Sequence, residues 1–160
     1  METILLDLEG VLIDNVLDWN VDEQGLLLVR NYLKTVRHDN VIMFSNAFWK
    51  REEINKYADR VNQLIPEVSR YITVEEQMEG FKKRCRIDFF TYPLITPYND
   101  FIEFYGDKRV SLMLIGDILF PDVKNLILID DSFSPVCIQT ENKQRIEVIQ
   151  YRDDMFHRAT

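Results

Sequence analysis

Thr3-Ile4-Leu5-Leu6-Asp7-Leu8-Glu9-Gly10 is the stretch on which the fold of this chain turns. The apolar run from Thr3 to Leu8 has the length of a buried strand, and it delivers acids where the chain leaves the sheet. Outward from it, strand-like and helix-like segments alternate. Asp22 to Val36 carries Leu26, Leu27, Val29, Tyr32, Leu33 and Val36 at helical spacing, and Asn40 to Phe44 is a second apolar run. Ala47 to Leu64 reads as a helix that stops before Pro66. Val74 to Arg84 reads as another, with Thr73 as N-cap and Glu76 at capping-box spacing. Asp88 to Tyr92 is a strand candidate halted by Pro93, and Lys108 to Leu119 is helical in period. Leu126 to Ile129 is a continuous aliphatic strand, and Val136 to Gln139 and Ile146 to Ile149 are shorter ones. Strands alternating with helices imply βαβ units. The expectation is an α/β fold: a three-layer, Rossmann-like parallel sheet with helices on both faces, formed as one domain over residues 1–160.

Composition narrows the function classes. Hydrophobic residues make up 46% and charged residues 29%, the balance of a globular protein. No stretch approaches the roughly 20 apolar residues of a membrane span, so no membrane partner is expected. Met1-Glu2-Thr3 lacks the basic flank of a secretion signal, which points to a cytoplasmic protein. Cys85 and Cys137 lack metal or redox spacing and are expected as reduced, mostly buried thiols. A net charge of −8 argues against general binding to nucleic acid or anionic membrane. The one dense basic run, Lys82 to Arg86, reads as the solvated face of a helix end.

In parallel sheets the ligand site lies beyond the carboxyl ends of the strands. Asp7, Glu9 and Gly10 follow the first strand, Ser45 and Asn46 the second, and Asp130 and Asp131 the run from Leu126. Acids, a hydroxyl and paired acids on one rim suit phosphoryl transfer. A carboxylate can attack phosphorus, and the repulsion among acids calls for a hard cation such as Mg²⁺. A hydroxyl and backbone N–H groups at a helix start can hold phosphoryl oxygens.

Those residues resemble the motifs of the haloacid-dehalogenase-like hydrolases. Asp7-Leu8-Glu9-Gly10-Val11-Leu12 is similar to their first motif, Asp-x-Asp-Gly-Thr-Leu. Val41-Ile42-Met43-Phe44-Ser45-Asn46 resembles the second, and Leu126-Ile127-Leu128-Ile129-Asp130-Asp131-Ser132 the fourth. The third is a single lysine at a helix start before the last of these strands, for which Lys108 is the choice, with Arg109 and Lys124 as rivals. The resemblance implies a small capless phosphatase with Asp7 as nucleophile and Glu9 as general acid and base. It implies Ser45, Asn46 and Lys108 on the phosphoryl group. Mg²⁺ would be held by Asp7, the backbone carbonyl of Glu9 and Asp130, with Asp131 supporting its water shell.

The spans where this family inserts caps, Leu12 to Val41 and Lys108 to Asp130, hold too little chain for one. An open site suits a large phosphorylated substrate, a protein or a nucleic-acid end, although a small phosphoester also fits. Two positions depart from the family pattern: Glu9 for its Asp, and Val11 for its Thr. The extra methylene of Glu9 lengthens its reach by about 1.5 Å. A second expectation is therefore a binding or regulatory protein that keeps the metal site with weakened turnover.

The remaining residues have ordinary roles. Asp14 fixes the turn after the first motif, and Trp19 and Trp49 pack, with Trp19 able to border the site. His38 and His157 are not expected as ligands. The aromatics from Phe89 to Tyr105 are core or a partner-binding surface.

Overall fold

Consecutive side chains of β1 (Glu2–Leu6) enter opposite cores: Ile4 and Leu6 join one buried cluster and Leu5 the other. That alternation defines the layers, because a strand sends neighbouring residues to opposite faces. The computed structural model describes residues 1–86 and 106–160. They form an α/β fold around a mixed, mostly parallel seven-stranded sheet. On one face lie Leu26, Val29 and Leu33 of α1 (Glu23–Thr35) with Ile54, Val61 and Leu64 of α2 (Arg51–Leu64). On the other lie Val74, Met78 and Phe81 of α3 (Val74–Cys85) with Leu112, Ile115 and Leu119 of α4 (Lys108–Leu119).

The strands β2 (His38–Phe44), β3 (Val68–Ile72), β4 (Asn125–Asp130), β5 (Val136–Gln139) and β6 (Arg145–Arg152) run in the order β3-β2-β1-β4-β6-β5. A short β7 (Met155–His157) pairs with β6. Pairings from β3 through β6 are parallel, while β5 and β7 run antiparallel to β6. In register, Leu6 lies opposite Met43 on one side and Ile129 on the other. The carboxyl ends of β2, β1 and β4 are thus adjacent at the middle of the sheet.

Helices α1, α3 and α4 lie within a residue or so of their expected spans, and Thr73 caps α3 by accepting from the Glu76 N–H at 3.1 Å. Four expectations change. The α2 helix begins at Arg51, because residues 47–50 turn before it. β3 was not anticipated, since exposed Ser69 and Arg70 interrupt its apolar pattern at the end of the order of described strands. β7 follows a two-residue turn in which Asp153 and Asp154 both have positive φ (54° and 60°), the geometry of a tight hairpin. Both cysteines are exposed rather than buried, Cys85 in the last turn of α3 and Cys137 on outer strand β5. The basic run is solvent-facing as expected, with Arg84 paired to Asp117 of α4. The strand expected over Asp88 to Tyr92, and the aromatics from Phe89 to Tyr105, lie outside the described residues.

Candidate functional site

Asp7 directly follows β1, and its N–H donates to the Ile129 carbonyl at 2.9 Å, carrying the β1–β4 pairing one residue past the strand. This holds Asp7 beside Asp130, the last residue of β4. Both are buried, at 7% and 1% exposure. Lys108 is the first residue of α4, placed there by Asp107, whose side chain caps the helix. From that point Lys108 Nζ reaches Asp7 Oδ1 at 3.0 Å and Asp130 Oδ2 at 2.6 Å. Ser45, 1% exposed, follows β2 on the same rim. Asp7, Glu9, Gly10, Ser45, Asn46, Lys108, Asp130 and Asp131 all line one cavity of about 450 Å³.

The charges in this cavity are unequal. One buried ammonium pairs with Asp7 and Asp130, and Asp131 stands beside them, each of the three acids with an oxygen within 4.8 Å of the others. Burial pushes the Asp7 carboxyl well above its usual range; Lys108 opposes this, and Asp130 and Asp131 add to it. Burial, then Asp130, raises Asp131 as well, against hydrogen bonds that include Asp7 and Ser132. Burial also works against the charge of Lys108, yet Asp7 and Asp130 hold its affinity for the proton above that of a free lysine. Clustered carboxylate oxygens with unmatched negative charge are the donor set that a hard divalent cation takes. These three residues could hold one.

Gly10 shapes the same wall. Its φ is +86°, and a Cβ there would sit 2.1 Å from Asp131 Oδ2. Glycine is required both for the backbone turn and for the approach of the Asp131 carboxylate. Glu9 lines the cavity, but its Oε2 accepts the Val16 N–H at 2.8 Å, so one carboxylate oxygen is tied to the loop that follows. Its side chain stands apart from the three-carboxylate group.

The second strand end differs from expectation. Ser45 Oγ accepts the Ala47 N–H at 3.2 Å, but α2 starts only at Arg51. The helix dipole acts within about its first turn, so it does not reach Ser45. Asn46 is used for bracing: its Nδ2 donates to the Gly106 carbonyl (3.2 Å), and its Oδ1 accepts from Gln77 Nε2 (3.0 Å). Gln77 Oε1 in turn accepts from Ser111 Oγ at 3.1 Å, and both residues are fully buried. This brace was not singled out from the sequence. Its only trace is a polar residue on the buried face of each of α3 and α4.

Among the basic rivals, Arg109 is engaged by Asp107 (2.8 Å), and exposed Lys124 lines a different cavity. Asp14 fixes its turn through Asn20 and the Asn15 N–H, and it also lines the cavity, as do Ala47, Gly106 and Phe133. Hydrogen bonding, chiefly from Asn20, holds the Asp14 carboxyl below its usual range. His38 and His157 bond to backbone carbonyls of Val36 and Arg152, and neither lines the cavity. No family model matches the chain, and neither a curated protein nor a solved structure does.

Proposed function

We propose that this protein is a Mg²⁺-dependent phosphomonoester hydrolase of the haloacid-dehalogenase-like type, working through an aspartyl-phosphate on Asp7. One observation carries the proposal: the buried Lys108 bridges Asp7 and Asp130 at a pocket that Asp131 and Ser45 also line. A structural salt bridge needs one acid per lysine. Three clustered acids with one lysine, at adjacent strand ends, leave negative charge that a divalent cation would offset, and only with that charge offset would an anionic phosphoryl group be admitted.

In the first half-reaction an Asp7 oxygen attacks phosphorus, and the bond to the leaving oxygen breaks as Glu9 supplies a proton to it. In the second, Glu9 takes a proton from water, which attacks the phosphorus and releases Asp7. Lys108 and Ser45 hold the phosphoryl oxygens and offset their charge. When bound, Mg²⁺ supplies further charge neutralisation, and Asp7, Asp130, the Glu9 carbonyl and Asp131 are the groups that would hold it. A phosphorylated protein, a nucleic-acid end or a small phosphoester is the substrate class, and the cytoplasm is the proposed location.

The expected result is hydrolysis of an aryl phosphate that needs Mg²⁺ and is lost in Asp7→Asn. Equal rates in wild type and Asp7→Asn would overturn the proposal. A second reading is a binding or regulatory protein with weakened turnover, favoured by the Val16 N–H that occupies one Glu9 oxygen. It expects divalent-cation binding without turnover in wild type, and a gain of activity in Glu9→Asp.

A further inference from the structure

Glu9 owes its position to a loop that is folded upon itself. The loop closes where the Asp14 N–H donates to the Asn20 carbonyl at 2.9 Å and Ile13 pairs with Val21. Inside it, Asn15 Oδ1 accepts from the N–H groups of Leu17 (3.1 Å) and Asp18 (2.9 Å), and the Trp19 N–H donates to the Asn15 carbonyl at 2.9 Å. A loop so bonded is tied to itself at several points. Its tip is open, with Leu17 88% exposed, so its tilt depends on what its base is packed against.

Val16 and Val21 pack against the core on either side of the tip, and Trp19 adds the aromatic contact. Its ring lies parallel to Tyr57 of α2, with centroids 5.8 Å apart and planes 6° apart, and the Arg60 guanidinium stands 5.3 Å from its centroid. Tyr57 packs on Phe48 at 6.0 Å, and the Phe48 N–H donates to the Ser45 carbonyl at 3.3 Å. Trp19 also holds a positive φ of 54°, a conformation that a bulky side chain adopts only when its surroundings impose it. A chain of ring contacts therefore runs from the segment bearing Ser45 to the loop whose Val16 N–H grips Glu9.

We propose that Trp19 is a positioning residue for Glu9: stacked on α2, it sets the loop so that Val16 N–H holds one carboxylate oxygen and leaves the other for the leaving group. The longer glutamate suits this arrangement, because its carboxylate must reach both the loop and the cavity. The inference rests on the phosphatase proposal and extends it to a residue that touches no substrate.

The test compares kcat/KM, which reads the steps through leaving-group departure, on two substrates with Mg²⁺ present. An alkyl phosphate needs a proton on its leaving oxygen, whereas an aryl phosphate with a good leaving group scarcely does. Trp19→Ala should lose about 10²-fold on the alkyl phosphate and no more than about threefold on the aryl one. Trp19→Phe, which keeps a ring against Tyr57, should recover most of the loss. Independently of turnover, amide exchange at Val16 should speed up in Trp19→Ala and return towards wild type in Trp19→Phe. Equal losses on both substrates, a Phe variant as poor as Ala, or an unchanged Val16 amide would each overturn the inference while leaving the phosphatase proposal standing. A wild type inactive on both substrates would overturn that proposal, and this inference with it.

Discussion

At Gly10 two constraints coincide in one missing side chain. The backbone needs a positive φ, and the Asp131 carboxylate occupies the space a Cβ would take. Gly10→Ala should cost about 1–3 kcal/mol in denaturant unfolding, through backbone strain and displaced Asp131. It should also weaken divalent-cation binding in calorimetric titration. Unchanged stability and affinity would show that the wall can yield. Lys108 illustrates a related limit on what a residue discloses. Lys108, Arg109 and Lys124 are equally basic as letters, but successive helical positions point about 100° apart. Only Lys108 reaches both Asp7 and Asp130, while its neighbour is held by Asp107.

Helices were legible where burial is one-sided, and the central strands where it is complete on both faces. α1, α3 and α4 could be read closely because each buries one stripe. β3 could not, since the exposed polar pair Ser69-Arg70 breaks its apolar run. β6 extends beyond Ile146 to Ile149 because Gln150, Tyr151 and Arg152 pair with β7. Glu147 on β6 is buried and clamped after β7 by Arg158, with two bonds of 2.8 Å. Those bonds, chiefly, hold its carboxyl below the usual glutamate range, against the effect of burial. A lowered folded-state pKa stabilises the protein above the unfolded value of about 4.3, and the contribution is lost as pH falls through the lower folded value. Stability should therefore drop on acidification below about pH 4. Glu147→Gln should flatten that part of the profile in melts taken across pH, and an unchanged profile would rule the clamp out as its source.

For the molecule as a whole, the sheet separates two cores. Ile54 of α2 belongs to one and Ile115 of α4 to the other. Ile54→Val and Ile115→Val should each cost about 0.5–1.5 kcal/mol, and the double variant should equal their sum within about 0.5 kcal/mol. A coupling beyond that in urea unfolding would mean that the sheet transmits strain between its faces. No helix among the described residues is long and apolar enough to cross a membrane.

By itself, the sequence determined the alternation of strands and helices and the residues standing at the strand ends. Both are local properties: periodicity follows from which side of an element is buried, and Asp7, Ser45 and Asp130 lie within a residue of the runs that present them. Only the tertiary structure decided which ends are neighbours. The order β2-β1-β4, the bridge from Lys108 to two acids, the approach of Asp131 to Gly10 and the stack from Trp19 to Tyr57 join residues far apart in the chain. No local pattern encodes such pairings. They follow from how the helices cover the two faces, and so from the packing of the whole sheet.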